Sequence, residues 1–235
     1  MVENSYKFPI VETIEAAWNK VKGSKATMWA IIGLIILNVF VFGIIGGLLQ
    51  AFVGDMVSQI STVIGTIVLW LLTWGLIYIG IQRAKDLPID YTMFKGMFNW
   101  NLFFKMLGVY LVQALAIAIT LIILLPGFII TSNSLLAQIV IAIAFIIWYV
   151  VFLYVLVRMY LAKAYVLDTR VNSWEAIKLS VAATKGNVLR IFGFLILCVL
   201  VFLLSVIPLG IGLIWSLPFM FIAYGLLYQR IAEKK

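Results

Sequence analysis

The fold is decided by an apolar stretch at residues 28–49, which reads MWAIIGLIILNVFVFGIIGGLL. The stretch carries no charged side chain, and it has the roughly 20 residues that a helix needs to cross about 30 Å of hydrocarbon. Its residues do not alternate between apolar and polar, as the strands of a membrane barrel do. A helix also satisfies its backbone hydrogen bonds internally within lipid. The stretch therefore predicts a transmembrane helix.

Five further stretches are similarly apolar, at residues 64–81, 102–125, 135–157, 189–206 and 211–228. Their only charged side chains are Lys105 and Arg190, each within the first four residues of its stretch. The composition of the whole chain agrees with them. Among 235 residues, 65% are hydrophobic and 11% are charged, whereas a soluble domain has about 25% charged residues. The sequence therefore predicts an all-α integral membrane protein with six transmembrane helices in one membrane domain, residues 1–235.

The charged residues predict the orientation of these helices. All 17 lysine and arginine residues fall in the two chain ends, or in and next to the loops that follow the second and fourth stretches. The connections within each helical pair, at residues 50–62, 126–134 and 208–210, carry a single charge, Asp55. Because basic loops stay on the cytoplasmic side of a membrane, both termini are expected in the cytoplasm.

A four-residue pattern recurs in three of the cytoplasmic segments, at relative positions 0, 3, 7 and 10, as on one face of a helix. The copies are Val11, Ile14, Trp18 and Val21; Tyr91, Phe94, Phe98 and Asn101; and Trp174, Ile177, Val181 and Thr184. Asp90 and Ser173 come directly before the second and third copies, as helix N-caps do. Each copy leads into a pair of apolar stretches. The pattern predicts three parallel repeats of an amphipathic helix plus a transmembrane hairpin, at residues 9–83, 88–160 and 172–231.

The amphipathic helices are expected to lie in the membrane interface, with aromatic side chains at headgroup depth and lysines toward anionic lipids. The candidate lipid-contacting residues are Trp18, Lys20, Lys22, Phe94, Phe98, Trp174, Lys178, Ser180 and Lys185. The hydroxyl of Ser180 would bond a lipid headgroup or a backbone carbonyl. The alternative is that these helices only cap the bundle and guide the chain into the bilayer.

Two amide side chains, Asn38 and Gln113, are predicted near the middle of the membrane, each about 10 residues into its helix at 1.5 Å per residue. They would either bond each other, an interaction worth about 0.6–2 kcal/mol in lipid, or line a small polar cavity that holds a ligand or water. Gly43 and Gly47 are spaced so that another helix could approach closely.

The sequence offers little for catalysis. It has no histidine and a single cysteine, Cys198, which excludes histidine-based nucleophilic dyads and an intrachain disulfide. No acidic residue falls inside a predicted span, and no glycine-rich phosphate-binding loop occurs. The protein is therefore expected not to be an enzyme, with no catalytic residue, metal site or cofactor. The net charge of +8 follows from the orientation rule and does not indicate nucleic-acid binding.

Several short motifs are similar to those of a known group of proteins. They are Leu125-Pro126-Gly127, Ala164-Tyr165-Val166-Leu167-Asp168, Ala176-Ile177-x-x-Ser180, Lys185-Gly186-Asn187, Gly210-Ile211-Gly212, Trp215, Pro218-Phe219, Ala223-Tyr224 and Tyr228, with Phe94-Lys95-Gly96 earlier in the chain. In these motifs the chain resembles the YciC-like bacterial six-span membrane proteins and the membrane domain attached to some glycerophosphodiester phosphodiesterases. The resemblance implies a six-helix fold in the bacterial cytoplasmic (inner) membrane. It implies no catalytic or ligand-binding residue.

Two functions stay open at this point. The first is a membrane-embedded, non-enzymatic protein that binds or translocates a lipid or other small amphiphile, in a cavity near Asn38 and Gln113. The second is a membrane scaffold or assembly partner that buries a face such as Gly43/Gly47 against another membrane protein. Three lipid-facing amphipathic helices favour the first. The expected partners are membrane lipids and, for the second function, other membrane proteins.

Overall fold

The structure is a computed structural model that describes residues 7–124 and 134–232. All regular elements in these two ranges are helical. The α-helices are α1 (Ile10–Val21), α2 (Lys25–Phe52), α3 (Asp55–Ala84), α4 (Trp100–Thr120), α5 (Leu135–Met159), α6 (Ala162–Thr169), α7 (Ser173–Ala183), α8 (Val188–Val206) and α9 (Leu213–Ala232). Two 3₁₀ helices occur at Tyr91–Met97 and Leu121–Leu124. The Leu125-Pro126-Gly127 motif lies outside the described residues.

Five of the described helical segments are long and apolar enough to cross a membrane. They are α2, α3, α4, the segment Leu135–Thr169 and α8. The prediction of a multi-pass, all-α membrane protein is therefore confirmed at this level. The sixth expected span corresponds to α9, which is not among the five. This helix contains Pro218 and ends in the polar pair Gln229-Arg230.

The chain divides into two compact units, of which unit A contains residues 8–103 and 193–232. Its core forms around the C-terminal half of α3, against which α1, α2, α9 and the first 3₁₀ helix pack. The largest fully buried side chains here include Phe8, Met28, Ile31, Trp74, Leu76, Ile79, Ile81, Met97, Phe194 and Phe219. The outer parts of α2 and α3 pack mainly on each other, and their remaining faces expose apolar side chains.

Backbone contact between α3 and α9 holds this core together. A Cβ atom added at Gly80 would lie 2.3 Å from the carbonyl oxygen of Phe221, and one added at Gly225 would lie 2.4 Å from the carbonyl oxygen of Gly80. Only glycine permits such an approach. No sequence pattern indicates this pair of glycines, because its members are distant in the chain.

Unit B contains residues 104–124 and 134–192. Here α6 packs on α7, and α5 contacts both α7 and the second 3₁₀ helix. The break between α5 and α6 is held by Ser180, whose hydroxyl donates to the carbonyl of Arg158 at 2.8 Å and accepts from the backbone N–H of Leu161 at 3.1 Å. Ser180 therefore replaces the helical hydrogen bonds that the break removes.

The three amphipathic segments differ from one another. The first and third are α-helices, α1 and α7, as predicted. The second was predicted as one helix through Asn101 and is instead the 3₁₀ helix Tyr91–Met97, after which α4 begins. The reason is that the Asn99 side chain accepts from the N–H groups of Asn101 and Leu102, at 2.9 and 3.3 Å, and so starts a new helix.

One of the two predicted N-caps is correct. Asp90 caps the first 3₁₀ helix by accepting from the N–H of Thr92 at 2.6 Å. Ser173 does not cap α7, because the N-cap position is Asn172. The Ser173 hydroxyl donates instead to the carbonyl of Lys105 on α4, at 2.7 Å.

Candidate lipid-contact site

The two mid-membrane amides are both engaged by backbone carbonyls of a helix in their own unit. Asn38 on α2 donates through Nδ2 to the carbonyl of Gly65 on α3, at 3.1 Å. Gln113 on α4 donates through Nε2 to the carbonyl of Met159 at the end of α5, at 3.0 Å. The Asn38 Oδ1 atom is buried and has no hydrogen-bond partner among the described residues. Each amide thus links two helices through a backbone carbonyl. Neither amide nitrogen donates to the other amide, which was one of the two expected roles.

Two members of the predicted lipid-contacting set, Trp18 on α1 and Trp174 on α7, are exposed aromatic residues. Trp18 is about half exposed and its ring meets that of Phe219 edge-on at 5.7 Å. Trp174 is exposed, with the Lys178 ammonium 5.4 Å from its ring. Each helix buries its other face, which includes Ala17 and Ala176.

The predicted lysines differ in their surroundings. Lys20 forms an ion pair with Asp86, whereas Lys22, Lys178 and Lys185 are exposed. Arg83 donates to the carbonyls of Lys20 and Lys22, at 3.0 and 2.8 Å, and thereby satisfies the C-terminal end of α1.

Ser180 is a correction to the predicted lipid-contacting set. Its side chain is fully buried and both of its hydrogen bonds go to the backbone at the α5–α6 break. Of its two expected roles, the structure shows the bond to a backbone carbonyl. The hydroxyl cannot also reach a lipid headgroup from this position, because burial separates it from the surface.

A cavity of about 170 Å³ lies in unit A where the second amphipathic segment meets α3. Its lining residues are Ile67, Leu71, Phe98, Asn99, Trp100 and Phe103. Two of the aromatic walls are exposed, Phe98 by 52% and Trp100 by 76%. The cavity therefore opens to the surroundings of the protein.

The aromatic rings around this cavity, hereafter the aromatic pocket, support one another. The Phe103 ring lies 6.0 Å from Trp74 and 5.9 Å from Trp100, and the Phe94 ring lies 5.9 Å from Phe98. The one polar side chain in the lining, Asn99, is used as the cap of α4. The surface offered to a ligand is thus apolar.

The volume limits what the aromatic pocket can hold. Sites for complete small-molecule ligands usually measure about 300–1,000 Å³, which exceeds the 170 Å³ found here. The pocket can accept an apolar segment, such as part of an acyl chain, but not an entire lipid.

Two acidic groups near the basic loops have lowered pKa values. The pKa of the Asp86 carboxyl is held below its usual value mainly by the hydrogen bond from the Lys20 ammonium, with further help from the charges of Lys20 and Arg83. The pKa of Asp90 is lowered by the side-chain and backbone hydrogen bonds from Thr92. Both carboxyls are ionised at neutral pH and serve as local structural anchors.

Within the described ranges, no group of three or more histidine, cysteine, aspartate or glutamate side chains is placed to hold a metal ion. In comparisons with known proteins, no family, no curated protein and no solved structure matches the chain. The resemblance to the YciC-like group therefore stays a prediction.

The apolar spacing of the second segment predicted Phe94 and Phe98, but Ile67, Leu71, Asn99, Trp100 and Phe103 were not predicted. A signal was present for Trp100, because Trp is typical of the boundary between membrane and water. No sequence pattern could indicate which turn of α3 would face them.

Proposed function

We propose that this protein is a non-enzymatic membrane protein that binds the apolar part of a lipid or other small amphiphile. Its hairpins enter the bilayer from the cytoplasmic side, where the basic residues lie, and both termini are cytoplasmic. The three helical hairpins represent three parallel repeats that have diverged most in the second amphipathic segment. The membrane is the bacterial cytoplasmic membrane, as the resemblance implies.

The observation that carries this proposal is the aromatic pocket. Its walls are rigid rings and branched aliphatic side chains, and its opening is framed by Phe98 and Trp100. In a membrane this opening faces acyl chains rather than water, because Ile67 and Leu71 lie in the apolar part of α3. A bound chain would gain dispersion contacts with the rings.

The pocket also lies beside a positive charge that suits an anionic headgroup. Lys95 belongs to the same 3₁₀ helix that leads to Phe98, and its side chain is exposed. A lipid seated with its chain between Ile67 and Phe103 would present its headgroup at the interface, where lysine attracts anionic lipids. Binding, and not translocation, is the function that a pocket of this size supports.

Photo-crosslinking with a phospholipid that carries a diazirine in one acyl chain tests the proposal. In vesicles containing the purified protein, adducts mapped by mass spectrometry are expected to concentrate on Ile67, Phe98 and Phe103. Leu37, an apolar residue of α2 that is 57% exposed and does not line the pocket, is the matched internal control. Equal labelling of Leu37 and the pocket residues would contradict a specific site.

The scaffold function stays as a second proposal because of three glycines on α2. Cβ atoms added at Gly33, Gly43 and Gly47 would meet no atom within 4 Å. The Gly43/Gly47 face is thus open to a partner helix. We expect a Gly43→Leu/Gly47→Leu variant to lose a partner protein or self-association in mild detergent if this function is correct, and to behave as the wild type if it is not.

A further inference from the structure

The connection between α8 and α9 has an unusual composition for a turn in water. From Val206 to Leu213 it contains no polar side chain, and Leu209 at its tip is 96% exposed. Turns in water commonly use Asn, Asp or Ser. The connection between α2 and α3 does have polar side chains at its ends, because the Gln50 amide donates to the Asp55 carboxylate across it at 3.3 Å. The tip of the α8–α9 hairpin is therefore built for an apolar environment.

The backbone of this tip also pairs most of its own N–H groups, which lowers the cost of placing it in hydrocarbon. The N–H groups of residues 209, 210 and 211 donate to the carbonyls of Ile207, Val206 and Pro208, at 2.8, 3.0 and 3.0 Å. Those of residues 213–216 donate to carbonyls of residues 210–212, at 2.9–3.2 Å. Because Pro208 has no N–H, it leaves none to satisfy. Because an unpaired N–H group costs several kcal/mol in lipid, a connection with most of its N–H groups paired is better suited to lipid than an open loop.

The depth of the tip follows from its contacts with the start of α2. The Trp29 indole donates to the carbonyl of Ile214 at 3.0 Å, and the Lys25 ammonium lies 4.3 Å from the Trp215 ring. Lys25 and Trp29 belong to the first turns of α2, which continues to Phe52. At 1.5 Å per residue, about 35 Å of helix separates Trp29 from Phe52. The first turn of α9 thus lies near the Lys25 end of α2 and far from its other end.

The C-terminal end of α9 also lies near the end of the α2–α3 hairpin that carries Lys25 and Lys85. The Lys85 ammonium, just after α3, is 5.9 Å from the Tyr228 ring, and Arg230 donates to the Thr13 hydroxyl of α1 at 2.9 Å. A helix of this length measures about 30 Å, yet both its ends contact residues at the basic end of the α2–α3 hairpin. The α9 helix therefore crosses that hairpin obliquely instead of running beside it through the bilayer.

We propose that α8 and α9 form a re-entrant hairpin. It enters the membrane from the side of Lys25 and turns back at residues 207–212 within the near leaflet, where Leu209 contacts acyl chains. The inference rests on the membrane crossing of α2 and α3 and is independent of lipid binding in the aromatic pocket. It leaves four crossing helices, α2 to α5, and keeps both termini on one side.

Thiol labelling tests this topology. In a Cys198→Ala background, which has no other thiol, single cysteines are introduced as Leu209→Cys, Val53→Cys and Lys22→Cys. A membrane-impermeant maleimide is added to right-side-out and to inside-out vesicles. We expect Val53→Cys to react from one side only, Lys22→Cys from the other side only, and Leu209→Cys from neither until detergent is added. Labelling of Leu209→Cys from the Val53 side would show a full span, and labelling from the Lys22 side would show a tip in water.

Cross-linking distinguishes a tip in the near leaflet from one buried in the far leaflet. A short, membrane-permeable bis-maleimide is applied to Lys25→Cys/Ile214→Cys and to the control pair Gln50→Cys/Ile214→Cys. About 37 Å of α2 separates positions 25 and 50, so only one pair can be in reach. We expect the pair at 25 and 214 to cross-link. Cross-linking of the pair at 50 and 214 instead would overturn the proposal.

Discussion

At the scale of single residues, the contact between Gly80 and Gly225 is the most demanding feature of the molecule. A Gly80→Ala substitution would place its Cβ 2.3 Å from the Phe221 carbonyl oxygen. Because that neighbour is backbone, α3 and α9 must separate. We expect a loss of about 1–3 kcal/mol of stability, measured as a lower thermal midpoint in detergent by size-exclusion chromatography.

The matched control is Gly43→Ala on α2. An added Cβ there meets nothing within 4 Å, and alanine is the better helix former by about 0.5–1 kcal/mol. The thermal midpoint should be unchanged or higher. Equal losses in Gly80→Ala and Gly43→Ala would mean that the approach of α3 and α9 is not as described.

The ion pair of Lys20 and Asp86 predicts a pH effect of definite sign. Because the folded pKa of Asp86 is lowered, the pair stabilises the fold above the unfolded aspartate pKa of about 3.9. That contribution is lost as the pH falls through the folded pKa. We expect Lys20→Gln to raise the pKa of Asp86 toward its usual value, measured as the midpoint of a carboxyl NMR titration.

Asp90 is the internal control for this titration, because its pKa is lowered chiefly by Thr92 and not by Lys20. Its midpoint should stay unchanged in Lys20→Gln. If the Asp86 midpoint does not move, or moves together with that of Asp90, the pair does not form in solution.

At the scale of the elements, Ser180 decides how α5 ends and α6 begins. In Ser180→Ala, the buried N–H of Leu161 and the carbonyl of Arg158 would lose the partner that the hydroxyl supplies. Leaving a buried group unsatisfied costs about 1–3 kcal/mol. We expect a lower thermal midpoint together with faster amide exchange at Leu161.

Ser205→Ala is the matched control, since the Ser205 hydroxyl bonds only the carbonyl of Val201 in its own helix, at 2.7 Å. Such a bond adds little to stability. If Ser205→Ala lowers the thermal midpoint as much as Ser180→Ala does, the loss of stability would come from removing any hydroxyl and not from the α5–α6 break.

The sequence predicted the elements better than their contacts. Long apolar runs indicated α2, α4, α5 and α8 to within about five residues at each end, because length and hydropathy are local properties. The α3 helix was predicted from residue 64 but begins at Asp55, so most of the predicted connection at residues 50–62 is helical. The prediction of one continuous helix in the second amphipathic segment was wrong. Asn99 starts a new helix there, although the spacing of apolar residues continues past it. Hydropathy also does not indicate which turn of one helix packs against which turn of another. Nothing in residues 211–228 therefore indicated that α9 begins beside Trp29 of α2.

The candidate site was predicted only in part, because the sequence indicates local spacing but not the contacts between distant residues. The apolar spacing of the second segment identified Phe94 and Phe98, which face α3 and the aromatic pocket. The mid-membrane amides drew attention because polar groups there are costly. Each of them is in fact bonded to a carbonyl of another helix, and such pairing depends on packing that only the folded chain defines.

At the scale of the whole molecule, the described residues form a multi-pass helical membrane protein with an exposed apolar pocket. We propose that its basic residues lie on the cytoplasmic side and that the pocket opens into the bilayer. The tip of the proposed re-entrant hairpin, the α9 helix and the pocket belong to the same unit, but neither proposal depends on the other.

The central claim is that the aromatic pocket holds an apolar chain, and native mass spectrometry of the protein released from nanodiscs of bacterial lipids tests it most directly. The wild type should retain a lipid after activation. Ile67→Trp, which fills the pocket, should lose it, whereas Leu37→Trp, at an exposed position of α2 outside the pocket, should retain it. Equal retention by all three proteins, or a wild type without bound lipid, would contradict the claim.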